Sequence, residues 1–311
     1  MTKDFSVLIP AYNVEKYIDK CLQSILNQSF INFEVIIIDD GSTDGTLKIC
    51  KKYESLDNRI KVFHQLNMGI IETRNRLIEL ANGNWVVFID ADDYINKNYL
   101  KEFGIYIDSY QSADMFVCDF ISLTNKGEVE IRRPFSNKEE YINQLLSWRK
   151  IGTALWAKAL RKSLIEKYQI KFEDNIILGE DLCFLSQLAY YANDIIYLPI
   201  ALYSWNRLNS GSITNNSICY TENYIPLYIK IICFYKEKAD YILYAKTINN
   251  TLVQVIENIF LLHQDYHELF LYVDNKFLSK ISKIKLFFIR SNCYKILLIV
   301  RKILNKLNCI R

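Results

Sequence analysis

The sequence predicts an α/β fold: a mainly parallel, twisted sheet with helices on both faces, followed by a helical C-terminal region. Three observations lead there. Short apolar runs rich in β-branched residues, such as "FEVIII" at 33–38, read as strands buried on both faces. They alternate with segments whose apolar residues recur at helical spacing, which gives a βαβαβαβ order over the first third of the chain. After about Asn223 the pattern is nearly all helical.

Taken in order, Phe5 to Pro10 is the first strand, and Val14, Tyr17, Ile18, Cys21, Leu22 and Ile25 mark the first helix. Phe33 to Ile38 is the second strand. It closes on Asp39-Asp40-Gly41-Ser42, where Ser42 or Thr43 is placed to cap the next helix. A strand near Lys61 to His64 precedes a helix from about Ile70 to Ala81, and Asn82-Gly83-Asn84 turns the chain into a fourth strand beginning at Trp85. Beyond Ala113 the pattern loosens. Met115 to Phe120 reads as a strand and Lys126-Gly127 as a turn. Glu139 to Trp148 and Glu180 to Tyr191 read as helices, and Ile195 to Leu198 and Leu202 to Trp205 as two short strands.

The 311 residues, half of them apolar, suffice for one large domain or two smaller ones. Net charge is only +3, but Lys276 to Arg311 holds ten lysines or arginines and no acid, so the rest of the chain is net acidic. Eight scattered cysteines without a CxxC pair point to a reduced, intracellular protein. The N-terminus has too short an apolar core for a signal peptide. Arg290, Lys295 and Arg301 interrupt the most apolar C-terminal stretch, so no membrane-spanning helix is expected. The expected location is the cytoplasm, with the inner face of the membrane as the site there if the basic tail binds lipid.

In open parallel sheets, ligands bind beyond the carboxyl ends of the strands. Three such ends carry polar clusters: Ala11-Tyr12-Asn13, Asp39-Asp40-Gly41-Ser42 and Asp90-Ala91-Asp92-Asp93. In extended chain Asp90 and Asp92 would point the same way and face one ion. Oxygen ligands suit a hard divalent cation, Mn²⁺ or Mg²⁺, whose coordination substrate phosphates and waters complete. An EF-hand would need glycine and glutamate where Ile95 and Lys101 stand, and a phosphatase D-x-D-x-[TV] motif has Tyr94 in its last place. Asp40 can accept from a nucleobase or ribose, or simply cap a helix. Of Arg74 and Arg76, one can reach diphosphate oxygens, while Arg76 reads better as a solvated helix face. Glu180 and Asp181 open a helix, either as complements to its dipole or, in a transferase, with a general base among them. "GSTDGT" lacks the lysine of a P-loop, and no GxGxxG follows the first strand, which disfavours a Rossmann dehydrogenase.

The set "VLIPAYN", "VIIIDDGSTDGT", "NMGIIETRN", "FIDADDY", "LWAKALRKSLI", "GEDLCF" and "WNRLNSGSIT" resembles family 2 glycosyltransferases, in family order across roughly residues 5 to 214. The resemblance implies a GT-A fold, a UDP-sugar donor, a divalent metal and inversion at the anomeric carbon. By position, it implies that Pro10, Ala11 and Tyr12 line the nucleotide pocket, Asp40 meets the uracil, and Arg74 lies near the base or diphosphate. Asp90 would sit close to the ribose and Asp92 would ligate the metal. Asp181 would be the catalytic base, with Glu180 helping to place the acceptor. Arg207, before the Ser212-Ile213 pair, would contact the diphosphate, and Trp156 and Lys158 would lie on the acceptor side. Two positions depart from the family pattern: Leu77 replaces a glycine, and Asn206 stands where an aromatic residue is usual.

The domains expected are a GT-A catalytic domain over 1–222, split into a nucleotide-sugar half (1–112) and an acceptor half (113–222), then a helical region over 223–311. The acceptor expected is a glycan or a lipid-linked sugar in surface or capsular polysaccharide synthesis. The interleaved apolar and basic residues of 276–311 either lie in a bilayer interface or pack on their own domain. No nucleic-acid motif accompanies the charge. His263 and His267 share a helical face without an HExxH pattern, and read as structural or surface residues. The alternative function is a non-catalytic nucleotide-sugar-binding subunit of a membrane-associated assembly complex.

Overall fold

The structure, a computed structural model, describes residues 4–147, 153–176, 178–209, 224–261 and 267–291. The chain divides into two compact units: Met1–Leu145 with Lys150–Ser217, and Leu146–Arg149 with Ile218–Arg311. The boundary anticipated at residue 222 lies outside the described residues.

The first unit is built on one sheet. Its strands are β1 (Phe5–Ala11), β2 (Phe33–Asp40), β3 (Ile60–Gln65), β4 (Trp85–Phe88), β5 (Tyr94–Ile95), β6 (Met115–Thr124), β7 (Gly127–Ile131), β8 (Lys158–Arg161) and β9 (Ile195–Asn206). They lie in the order β3-β2-β1-β4-β8-β6-β9-β5, with β7 paired to β6 off that path. Strands β3, β2, β1 and β4 are parallel, as are β6 and β9. Strand β8 runs antiparallel to both β4 and β6, and β5 and β7 are antiparallel to their neighbours. The sheet is therefore mixed: the half formed by β3, β2, β1 and β4 is wholly parallel, and β8 reverses direction at the seam.

The parallel strands read as unbroken apolar runs because both faces are covered. Val7, Ile9, Val35, Ile37 and Val87 pack into one core with α1 (Ile18–Leu26) and α2 (Thr46–Leu56), while Leu8, Ile36, Ile38 and Phe88 are buried on the opposite face, where α3 (Ile70–Leu80) lies. Leu77, the departure from the expected glycine, is fully buried in an unbroken α3. Helices α4 (Tyr99–Ser109), α5 (Lys138–Leu146), α6 (Lys162–Lys167) and α7 (Glu180–Tyr191) complete the unit.

Several expectations change. The two short strands near 195 and 202 are one strand, β9, whose register against β6 shifts between Cys118 and Phe120. Pro199 and Ile200 occupy the irregularity, and the missing proline N–H explains the break in pattern. Neither Ser42 nor Thr43 caps α2. The helix starts after Gly45 without a side-chain cap, and Asp44, one residue earlier, accepts from the Thr46 amide at 2.9 Å. Strand β7 carried no readable signal because its residues are almost all exposed.

The second unit contains α8 (Tyr224–Lys236), α9 (Ile242–Leu261) and α10 (Lys280–Arg290), with 3₁₀ turns between α9 and α10. Two asparagines of α9 seat the incoming segment. Asn249 accepts from the Asp274 amide at 2.6 Å, and Asn250 accepts from the Ser279 amide at 2.9 Å and the Ser282 hydroxyl at 2.6 Å. Among the described residues no helix is long and apolar enough to cross a membrane. His263, Ser212-Ile213 and the tail beyond Ser291 fall outside the described residues.

Candidate active site

Strands β2, β1 and β4 are parallel neighbours, so their C-terminal ends meet at one edge of the sheet. The loops after β1 and β2 are stitched together there. Asn13, held at φ 50°, donates its amide to the Ser42 hydroxyl at 2.9 Å and accepts from the Thr43 amide at 2.8 Å. Gly41 takes φ 74°, and a Cβ there would come within 2.7 Å of the Asn67 nitrogen, so only glycine fits. Ala11 is buried, Pro10 is partly buried, and Tyr12 projects from the strand end 48% exposed.

Asp40 is buried and shapes its surroundings. One carboxylate oxygen accepts from Gln65 Nε2 (2.8 Å) and the Met68 amide (2.8 Å), the other from the Gly69 amide (2.9 Å). A carboxylate offers about four acceptor sites, so this leaves room for one further donor. Gln65 accepts in turn from Arg76 at 2.6 Å, so Arg76 braces this pocket and is not the freely solvated residue anticipated. His64 does more than end a strand: from a half-exposed position its Nδ1 lies 2.7 Å from Oδ2 of the buried Asp39.

The acidic cluster is a turn. Strand β4 ends at Phe88, and the Asp93 amide donates to the Asp90 carbonyl at 3.0 Å. A turn, and not the alternation of an extended strand, brings carboxylate oxygens of Asp90, Asp92 and Asp93 within 4.8 Å of one another. Asp93, unassigned by sequence reasoning, is the anchor. It accepts from the Tyr203 hydroxyl at 2.6 Å and from the Asn206 amide at 2.7 Å, while Tyr203 accepts from the Asp90 amide at 3.1 Å. Asn206 also donates to the Asp92 carbonyl at 3.1 Å, which accounts for the polar residue at that departure. Asp92 accepts from Asn209 at 2.8 Å. Burial first, then the neighbouring carboxylates, push Asp93 well above the usual carboxylate range. Burial likewise raises Asp90, offset in part by the Arg74 charge and reinforced by Asp92 and Asp181.

Arg74 joins this turn to α7. Its guanidinium donates to Glu180 at 2.8 Å and to Asp181 at 2.6 Å, and it is close enough to Asp90 to feel that charge too. The next residue, Asn75, donates to the Phe172 carbonyl (3.0 Å) and accepts from the Phe172 amide (2.9 Å). The Phe172 ring stacks on Phe184 of α7 at 4.3 Å. The Arg-Asn pair thus fastens α3 to the start of α7, where Gly179 at φ 80° lets the chain enter the helix. Burial, then Asp181, raises Glu180. The other Asp181 oxygen accepts from the Leu155 amide at 3.3 Å.

The loop before β8 is braced from within. Trp156 and Lys158 are buried and present little surface of their own to an acceptor. Lys158 donates to the carbonyls of Ala154 (2.6 Å) and Trp156 (3.3 Å), and burial pushes its ammonium down to about 8. Trp156 stacks on Tyr203 at 4.8 Å. The same tyrosine holds Asp93, so one aromatic pair ties the acidic turn to the loop that touches Asp181. Arg207 is exposed just past β9, its guanidinium 4.9 Å from the Trp205 ring. The sequence signal that could have found Tyr203 was its two-residue spacing from Trp205 on a strand, but nothing local reveals its partner.

The acidic turn fits a hard divalent cation: three carboxylates offer oxygen atoms within 4.8 Å of one another, and every donor is oxygen.

The sequence model "Glycosyl transferase family 2" matches residues 6–169, more than half of the chain. EpsH of Bacillus subtilis (strain 168) is 30% identical over 260 residues, covering 81% of this chain and 75% of that protein. The poly(ribitol-phosphate) beta-N-acetylglucosaminyltransferase TarS of Staphylococcus aureus (strain Mu50 / ATCC 700699) is 32% identical over 225 residues, covering 71% of this chain but only 38% of TarS. The crystal structure of S. aureus TarS 1-349 in complex with UDP-GlcNAc superposes with a TM-score of 0.79 at 24% identity, covering 97% of this chain and 92% of that one. The parallel N-terminal half of the sheet, the GT-A architecture it shares with TarS and the match across residues 6–169 make this chain a member of glycosyl transferase family 2, the glycosyltransferases.

Proposed function

We propose that this chain is an inverting, metal-dependent transferase that moves a sugar from a UDP-sugar to a hydroxyl of a glycan or lipid-linked acceptor in surface polysaccharide synthesis, capsule included. One observation carries the reading: Arg74 brings the first turn of α7, with Asp181, into electrostatic reach of the Asp90–Asp93 turn at the end of β4. A base for the acceptor and a charge site for the leaving group therefore share one edge of the sheet. The UDP-GlcNAc in the TarS structure supports a uridine donor.

In this reading Pro10, Ala11 and Tyr12 flank the nucleotide, and the remaining acceptor site of Asp40 takes a donor N–H of the base. Asp92, with Asp90, would hold Mn²⁺ or Mg²⁺, which when bound supplies positive charge beside the departing diphosphate. Arg207, exposed and cationic, meets the same diphosphate. Asp181 takes the proton of the acceptor hydroxyl, whose oxygen bonds to the sugar C1 as the bond from C1 to the diphosphate oxygen breaks and its electron pair leaves with UDP. A single displacement turns an α-linked donor into a β-glycoside. Glu180 orients the acceptor, and Trp156 and Lys158 act from inside the protein by fixing the loop that carries the Leu155 amide.

The test measures UDP release from a panel of UDP-sugars, UDP-GlcNAc first, with and without Mn²⁺ and acceptor glycans. Asp181→Asn is expected to lower turnover by about 10²–10⁴-fold while UDP still raises the melting temperature. Wild-type protein that binds UDP yet turns over no donor would instead be the binding subunit of an assembly complex.

A further inference from the structure

We propose that the second unit docks on an anionic lipid bilayer through α10, with the groove between α9 and α10 receiving a phosphate-bearing headgroup. Helix α10 has two faces. Ser282, Leu286 and Ile289 are buried against the rest of the unit. Ile281, Ile284 and Phe287, at three-residue steps along the other side, are 49%, 50% and 63% exposed. An apolar stripe of this kind on a surface helix marks a docking face.

Charge names the occupant. At helical spacing, Lys283 and Arg290 border one side of the stripe, the ion-paired Lys285 lies on the other, and α10 contains no acidic residue. Lys280 and Lys283 sit in the first turn, where the helix dipole disfavours cations, so helix stability does not explain them. Two copies meeting through this face would oppose like charges. A bilayer rich in anionic lipid satisfies both features at once: apolar side chains enter the acyl boundary and cations meet the headgroups.

A second feature lies on the Lys285 side. A groove of about 530 Å³ is lined by Lys246, Asn250 and Thr251 of α9 and by Ile281, Ser282 and Lys285 of α10. Lys285 also pairs with the buried Glu257 at 2.6 Å, which fixes its position at the groove wall. Ile281 belongs to both groove and stripe, so a headgroup held in the groove has its acyl chains beside the apolar face. This inference is independent of the sugar-transfer reading, because it uses only the second unit.

The experiment is vesicle flotation of the full chain with phosphatidylglycerol mixed into phosphatidylcholine, against phosphatidylcholine alone. The mixed vesicles are expected to bind on the order of tenfold or more tightly, and raised salt to weaken but not abolish binding. Ile281→Gln/Ile284→Gln/Phe287→Gln is expected to lose that binding by a similar factor, and Lys246→Gln part of it, with UDP-sugar turnover on a water-soluble acceptor unchanged. Phe287→Gln alone serves should the triple variant melt early. Equal binding to both vesicles, a stripe variant that floats like wild type, or a stripe that controls only dimer mass in sedimentation overturns the proposal. So does capture by soluble polyphosphate without vesicle binding.

Discussion

Arg74→Met gives the most direct access to the site's electrostatics. The guanidinium is 8% exposed and serves Glu180 and Asp181, themselves 16% and 17% exposed. Methionine roughly fills the volume and leaves two adjacent carboxylates without their cation. Stranding a buried ion-pair partner costs about 3–5 kcal/mol. Since both carboxylates keep some access to water, the lower end, about 3 kcal/mol, is expected here. For a unit of this size each kcal/mol moves the melting temperature by about 2–4 °C, so the variant should melt about 6–12 °C early. The measurement is thermal and urea unfolding in metal-free, donor-free buffer. Glu180→Gln on the Arg74→Met background removes one of the stranded charges, and about 1–2 kcal/mol should return as a non-additive term. Mn²⁺ should stabilise Arg74→Met more than wild type, because Asp90 has lost its counter-charge. A single variant within about 0.5 kcal/mol of wild type, or a double variant that merely adds, would refute the view that Arg74 is the counter-ion binding α3 to α7.

Three further outcomes follow from single contacts. Tyr203→Phe removes the hydroxyl that donates to Asp93 and accepts from the Asp90 amide, and should cost about 1–3 kcal/mol in unfolding and weaken Mn²⁺ binding measured by calorimetry. Gly41→Ala meets both a positive φ and the Asn67 backbone, so donor affinity in a UDP thermal-shift titration should fall, with a loss of at least about 1 kcal/mol in stability. Burial raises Glu34, but hydrogen bonds from Ser6 and Asn82 outweigh it and hold its pKa below the ordinary value, so Glu34 stabilises the fold above the unfolded-state pKa and that contribution disappears as pH falls through the lowered one. Glu34→Gln should therefore flatten the acid limb of a stability–pH curve.

The parallel half of the sheet was legible because burial on both faces forces apolar runs, and their ends had to meet once the strands were parallel neighbours. The antiparallel strands β7 and β8 were not. Strand β8 has only four residues and β7 is exposed, so neither carries a periodic signal. Reading Asp90 and Asp92 as alternating strand residues gave a cluster for a reason the turn at 90–93 replaces.

By itself the sequence determined the chemistry on offer: which carboxylates close which strands, that Asp181 opens a helix, and that positive charge gathers at the C-terminal end. Local pattern can do this because strand period, caps and turns act over a few residues. Tertiary structure alone decided the partners. Arg74 meets Asp181 across 107 positions and Tyr203 meets Asp93 across 110. Pairings at such separations come from the packing of the whole sheet, which no short window of residues can encode.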